Sequence, residues 1–312
     1  MNTPAVPASR FSLFAAFAII YLVWGSTYLG IRVAVTTMPP FAMAAGRFFL
    51  AGVVLFTWLR LRGAAWPRAH QWRDNLIVGT LLLLGGNGLV AWAEQYIPSG
   101  ITALIIGVGP IFMVLTEWAW PGGIRPTAAT FLALLLGLAG VTYLTSGGAV
   151  SGMPELPPAA LGAILGGCLC WSVGSIYSRH TKDAAPPFMA AALQMLGGSA
   201  ALAFVAGLTG DWRRLDLAAI STASWTAFAY LTLFGSIIAF STFVWLLKHS
   251  TPARISTHTF VNPIVAVFLG WLILAEPITS RTIVASVIIV AAVVIVTLQK
   301  HRPAPKPVPA DA

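Results

Sequence analysis

The chain has 312 residues, of which 58% are apolar and only 9% carry a charge, with a net charge of +9. Soluble globular proteins carry about 25% charged residues, so the composition excludes a water-soluble globule, and its apolar excess excludes a disordered chain. Its two cysteines, Cys168 and Cys170, stand two apart in one apolar run, where a helix points them away from each other, so a disulfide scaffold is excluded as well.

What remains is a polytopic membrane protein. A spanning helix needs about 20 mostly apolar residues. Ten such runs are predicted in chain order: Phe11–Val33, Phe41–Leu59, Leu76–Tyr96, Gly100–Trp120, Thr127–Thr145, Ala159–Ser178, Phe188–Leu208, Trp225–Leu247, Ala253–Leu274 and Thr282–Leu298. None alternates apolar with polar residues as a membrane β-strand would, so the fold class is an all-α membrane protein. The first run is read as a retained helix and not a signal peptide. Its only basic flank is Arg10, and no A-x-A-like site closes it.

The basic residues fall in short loops between the runs. With the N-terminus in the cytoplasm, the inner side holds Arg10, Arg60, Arg62, Arg68, Arg73, Arg125, Arg179, Lys182, Lys248, Arg254, Lys300, Arg302 and Lys306. The outer side holds only Arg32, Arg213, Arg214 and Arg281. This asymmetry follows the positive-inside rule and places both termini in the cytoplasm. It also accounts for the net charge without a nucleic-acid partner, since no basic stripe is interleaved with aromatics.

Along the chain, the first span carries Trp24, Ser26, Thr27 and Tyr28 near its middle. A central Trp either lines a polar space or packs at a helix crossing. Arg47 lies inside the second span and Glu94 near the outer end of the third, at similar depth. They are expected to pair, with Glu94 as a gating proton site the alternative. Gly85-Gly86-Asn87-Gly88 sits in mid-span, where Asn87 is either interhelical glue or a ligand donor. Gly107-x-Gly109-Pro110 interrupts the fourth span.

Residues 147–158 are rich in Gly and Pro and read as a linker. Beyond it the pattern repeats. At an offset of 147 residues Trp24 falls on Trp171, Arg32 on Arg179, Pro39-Pro40 on Pro186-Pro187 and Phe41 on Phe188. Residues 11–146 and 159–299 thus form two five-span repeats, flanked by a cytoplasmic segment 1–10 and a disordered tail 300–312. Five is odd, so the second repeat enters the membrane inverted. Inverted repeats are the usual architecture of secondary transporters, with the substrate site near the midplane and interrupted spans marking it. Asn262-Pro263, in the ninth span, is the expected counterpart of the Gly109-Pro110 interruption. Ser172 and Ser175 follow Trp171. His258 lies about a turn from Asn262 and is a candidate proton carrier, substrate contact or structural donor.

These residues predict a cavity walled by Trp24 and Trp171 for a small amphipathic or cationic solute. The substrate-binding candidates are Trp24, Ser26, Tyr28, Asn87, Gly109, Trp171, Ser175 and Asn262. The coupling or gating candidates are His258, Glu94 and Arg47, with proton coupling expected to run through His258. There is no Walker loop, no G-x-S-x-G, no H-E-x-x-H and no metal-binding carboxylate cluster. The expectation is therefore a transporter, not an enzyme, with no cofactor or metal and with a small molecule and the lipid bilayer as partners. The alternative is a membrane sensor or scaffold that binds a ligand without moving it.

Trp24-Gly25-Ser26-Thr27-Tyr28, Pro39-Pro40, Arg47-Phe48, Gly86-Asn87-Gly88, Pro98-Ser99-Gly100, Gly235-Ser236-Ile237-Ile238-Ala239 and Val261-Asn262-Pro263-Ile264-Val265-Ala266-Val267 resemble the EamA-type members of the drug/metabolite transporter superfamily. The resemblance covers residues 11–299. It implies ten helices in two EamA repeats and a bacterial inner-membrane permease for small metabolites or drugs, often in efflux. It also implies a central cavity lined by spans 1, 3, 4, 6, 8 and 9, which would include Trp24, Asn87, Trp171 and Asn262. Family repeats commonly end their fourth helix with Glu. Glu276 keeps it, whereas the first repeat has Ile124 there.

Overall fold

The computed structural model describes residues 9–123, 125–145, 156–181, 185–250, 255 and 258–298. Expectations for residues 1–8, Ile124, most of the 147–158 linker and the 300–312 tail lie outside the described residues. Among the described residues every regular element is helical. We label the main helices α1 (Arg10–Ala34), α2 (Pro40–Leu61), α3 (Ala69–Ala93), α4 (Ser99–Ala119), α5 (Ala128–Thr145), α6 (Pro158–His180), α7 (Pro187–Leu208), α8 (Thr222–Leu246), α9 (His258–Leu274) and α10 (Ser280–Leu298). Seven of them, α1–α4 and α6–α8, are long and apolar enough to cross a membrane, and α5, α9 and α10 supply shorter apolar segments.

Helix is forced by the environment. In hydrocarbon each backbone N–H and C=O must find its partner within the segment. The starts are written in prolines. Pro40, Pro158 and Pro187 occupy the first turns of α2, α6 and α7, where the missing N–H would be unpaired anyway. The side chains of Ser9 and Ser221 cap α1 and α8, accepting from Ser12 N at 3.0 Å and Ser224 N at 3.1 Å. The end of α9 is less usual. Glu276 N donates to Gly270 O at 3.1 Å and Ala275 sits at φ +53°, a left-handed closing residue where glycine is the common choice.

Helix α3 starts at Ala69, ahead of the expected Leu76, and ends at Ala93, short of Tyr96. Both α3 and α8 contain a wider π segment, Thr80–Gly88 and Leu231–Phe240 respectively. The interruption expected in the fourth span is present: α4 bends between Ser99–Ile106 and Gly109–Ala119. Its expected counterpart at Asn262-Pro263 is absent, because α9 runs unbroken through Pro263. There α1 packs along α9, and the Asn262 amide nitrogen donates to His258 O at 3.1 Å and Tyr21 O at 3.2 Å, holding the two helices together.

Helix α2 lies beside α7 and α5 beside α10, while α1 packs on α8 and α9 as α6 packs on α3 and α4. Small residues permit the closest approach: a Cβ on Gly79 of α3 would run into the Gln194 carbonyl oxygen of α7. One hydrophobic core, with Phe48, Leu83, Leu193 and Met195, ties α2, α3 and α7 together. A second, with Leu104, Ile105, Ile164 and Ile289, ties α4, α6 and α10. Large apolar side chains such as Phe204 and Leu208 of α7 and Leu132 and Leu135 of α5 point outward. Such an apolar perimeter suits lipid and not water.

Candidate functional site

Among the helices lies a cavity of about 240 Å³. Helices α1, α2, α3, α4, α6, α8 and α9 all line it, through Trp24 and Tyr28, Arg47, Asn87, Gly109, Trp171 and Ser175, Phe243, and His258 and Asn262 respectively. The structure thus brings together nine of the residues singled out as binding or coupling candidates. Ser26 and Glu94 are not in the lining. Ser26 faces α8, its hydroxyl 2.5 Å from Tyr230 Oη.

Trp24 is the hub of an aromatic cluster. Its ring centroid lies 5.7 Å from Trp171, edge-on, 4.8 Å from Phe243 and 5.2 Å from His258. The glycines of the α3 π segment set Trp171 in place. A Cβ on Gly86 would sit 2.8 Å from Trp171 Cε3, so the indole lies across bare backbone. π segments often mark functional sites, and this one carries Asn87 into the lining. The His258 ring contacts Ile255 O through Nδ1 at 2.7 Å. A carbonyl only accepts, so Nδ1 carries the proton and neutral His258 is left with Nε2 as an acceptor.

The polar side of the cavity differs from expectation. Arg47 does not pair with Glu94. Its Nη2 donates to Asn87 Oδ1 at 2.7 Å, and its guanidinium lies 4.2 Å over the Phe48 ring. Glu94 is fully buried, and neither carboxylate oxygen has a hydrogen-bond partner among the described residues. Helix positions explain the mismatch. Asn87 stands two turns before Glu94 on α3 and captures the guanidinium first, while Arg32 Nη1 takes the Glu94 backbone carbonyl.

The cavity has two unlike ends. Toward the face where α1 begins, its lining reaches Glu117 and Arg179, an ion pair at 3.6 Å whose side chains are 26% and 39% exposed. Toward the opposite face the helix ends are tied together. Glu276 Oε1 accepts from Ser99 N at 2.8 Å and Ser99 Oγ at 2.9 Å, and its Oε2 accepts from Gly100 N at 3.1 Å, capping α4. Asp211 Oδ2 accepts from Phe41 N at 2.8 Å and Ala42 N at 3.3 Å, capping α2. Ser224 Oγ donates to Val33 O at 2.9 Å, tying α8 to α1.

Sequence reasoning missed Phe243, Phe48, Glu117 and Arg179 as lining residues. Phe243 gave no signal among the many aromatics. Arg179 was visible as the repeat partner of Arg32, and Glu117 stands near the end of the fourth apolar run. Among the described residues no three His, Cys, Asp or Glu side chains gather to hold a metal.

The EamA-like transporter family profile matches residues 11–146 and again residues 158–298. The chain belongs to the EamA-like transporter family. It is 38% identical to the inner membrane transporter YedA of Escherichia coli K12, over 95% of this chain and 94% of that protein. It is 24% identical to the transporter YvbV of Bacillus subtilis, over 93% and 92% of the two chains. A solved crystal structure with 23% identity covers 93% of this chain with a TM-score of 0.66, which shows a shared fold. This EamA protein is therefore a multi-pass membrane transporter.

Proposed function

We propose that the chain is a secondary transporter of the bacterial inner membrane that moves a small metabolite or drug, outward in the cell, by alternating access. Ten spanning helices form two inverted five-helix repeats, residues 11–146 and 159–299, with both termini cytoplasmic. In support, the double prolines open α2 and α7 alike, and the contacts of α1 with α8 and α9 are answered by those of α6 with α3 and α4. The basic loops supply the orientation.

The observation that carries the reading is the cavity itself. It is lined from both repeats by aromatic and polar side chains, and bounded by a weak exposed ion pair at one face and by carboxylate caps, Asp211 buried and Glu276 half-buried, at the other. Such an arrangement is a state open toward the cytoplasm, closed outside by Glu276 and Asp211. About 240 Å³ is below the roughly 300–1,000 Å³ of drug-sized ligand pockets, which favours a solute of metabolite size. Trp24, Tyr28, Asn87, Gly109, Trp171, Ser175 and Asn262 are the proposed substrate contacts and His258 the proposed proton carrier.

Counterflow in reconstituted vesicles without ATP, run over a metabolite panel, tests this. Saturable flux of at least one solute is expected. Tight binding with no flux for any of them would instead make the protein a membrane sensor.

A further inference from the structure

We infer that the transported solute carries a negatively charged head, a carboxylate, which docks on Arg47 while its apolar body lies against Trp24, Trp171 and Phe243. This rests on the transporter reading and adds the chemical class of the solute to it.

Arg47 is 4% exposed, lines the cavity, and uses one nitrogen on Asn87. Its Nε and Nη1 have no hydrogen-bond partner among the described residues. The guanidinium lies 4.2 Å over the Phe48 ring and both spare nitrogens are buried, so a solute carboxylate meets them as the side chain turns into the cavity it already lines. A buried guanidinium with spare donors is costly to leave unmatched, and a planar carboxylate is the acceptor whose geometry fits it.

The charge balance of the lining points the same way. Its charged side chains are Arg47, Glu117 and Arg179, and the last two pair with each other. One positive charge is left over. Glu94 lies outside the lining and is in electrostatic reach of both Arg32 and Arg47, so it offsets only part of that charge. An ammonium group entering this cavity would meet no unpaired carboxylate in the described wall. The rest of the wall suits a carbon body: three aromatic rings within 6 Å of one another around Trp24 and Trp171. The expected cargo is an organic acid with an aromatic or branched apolar body.

The test uses purified full-length protein in detergent and matched probes that differ only in the head: 3-phenylpropionate, 3-phenylpropanamide and 3-phenylpropylamine, with hexanoate and hexanamide as an aliphatic pair. Thermal stabilisation at millimolar probe is the first readout. The acids are expected to stabilise the wild type and the amides and amine to do so at least about tenfold more weakly in concentration. Arg47→Gln is expected to weaken acid binding by about 10- to 100-fold and Arg47→Lys, which keeps the charge but not the planar fork, by less. If Arg47→Gln does not fold, the head-group comparison in the wild type decides. Equal binding of amide and acid, preference for the amine, or no response to either acid overturns the inference. Uptake of labelled 3-phenylpropionate into vesicles separates the two claims. Acid binding without flux refutes transport but leaves the Arg47 assignment standing, whereas flux of the amine or amides alone refutes the assignment and leaves transport standing.

Discussion

The carboxylate cap at the closed face lends itself to a quantitative perturbation, Glu276→Gln. Glu276 spends both oxygens on the first turn of α4, accepting two bonds from Ser99 on Oε1 and one from Gly100 N on Oε2. A Gln side chain keeps one oxygen. If that oxygen serves Ser99, its NH₂ group faces the Gly100 N–H, donor against donor. One charge-assisted bond, about 1.5–3 kcal/mol, is lost. The negative charge at the helix N-terminus, about 0.3–1 kcal/mol, goes with it. Glu276 is half-buried, so part of this is screened and the expected loss is about 2 kcal/mol. The assay is thermal and denaturant unfolding in detergent, arranged as a double-mutant cycle with Ser99→Ala. Because Ser99 Oγ and Glu276 bond directly, the two changes are expected to be coupled by about 0.5–1.5 kcal/mol. A Glu276→Gln protein as stable as wild type, or strict additivity with Ser99→Ala, would refute the reasoning. The same loss bears on the cycle. In the proposed cycle, where this face is the outer one and closed, about 2 kcal/mol taken from it shifts the balance of states by about 30-fold. Labelling of Ile31→Cys, a lining position near that face, should then be faster from outside in Glu276→Gln.

Trp171→Ala should lower flux per folded molecule and cost about 3–5 kcal/mol of stability; reduced stability with unchanged flux per folded molecule would make Trp171 a packing residue. Gly86→Ala would put a Cβ 2.8 Å from the Trp171 ring, and since the indole must then turn into the cavity, substrate affinity should fall more than thermal stability does. His258→Gln, keeping size but not titration, should flatten the dependence of flux on an imposed proton gradient, and a response lost only in Glu94→Gln would reassign coupling to Glu94. Ala275→Gly should raise stability by up to about 1 kcal/mol, since it relieves a left-handed φ of +53° at the end of α9; a loss of stability would show that the methyl group packs usefully.

The sequence by itself determined the class and much of the scaffold. Long apolar runs leave helix as the only hydrogen-bonding solution in lipid. Paired prolines at 39–40 and 186–187 fixed equivalent helix starts, and the Gly107–Pro110 interruption marked a real bend in α4. Trp24 and Trp171 were visible because a central Trp is out of place in a simple membrane helix. Which polar groups meet was decided only by the tertiary structure. Arg47 and Glu94 were expected at one depth, but span counting fixes depth only to within a turn or two. Asn87, two turns deeper along α3, meets Arg47, while Glu94 at the end of the helix stays outside the lining. The unbroken helix at Pro263 has the same origin. A proline weakens a helix locally, and whether the chain bends there depends on what packs against it, here α1 and the Asn262 amide bridging to Tyr21. The asymmetry of the two faces was legible only in part. The first repeat lacks a glutamate after its fourth helix, but that Glu276 reaches back to cap α4, and that Asp211 does the same for α2, follows from helix ends brought side by side by packing between residues more than 150 positions apart.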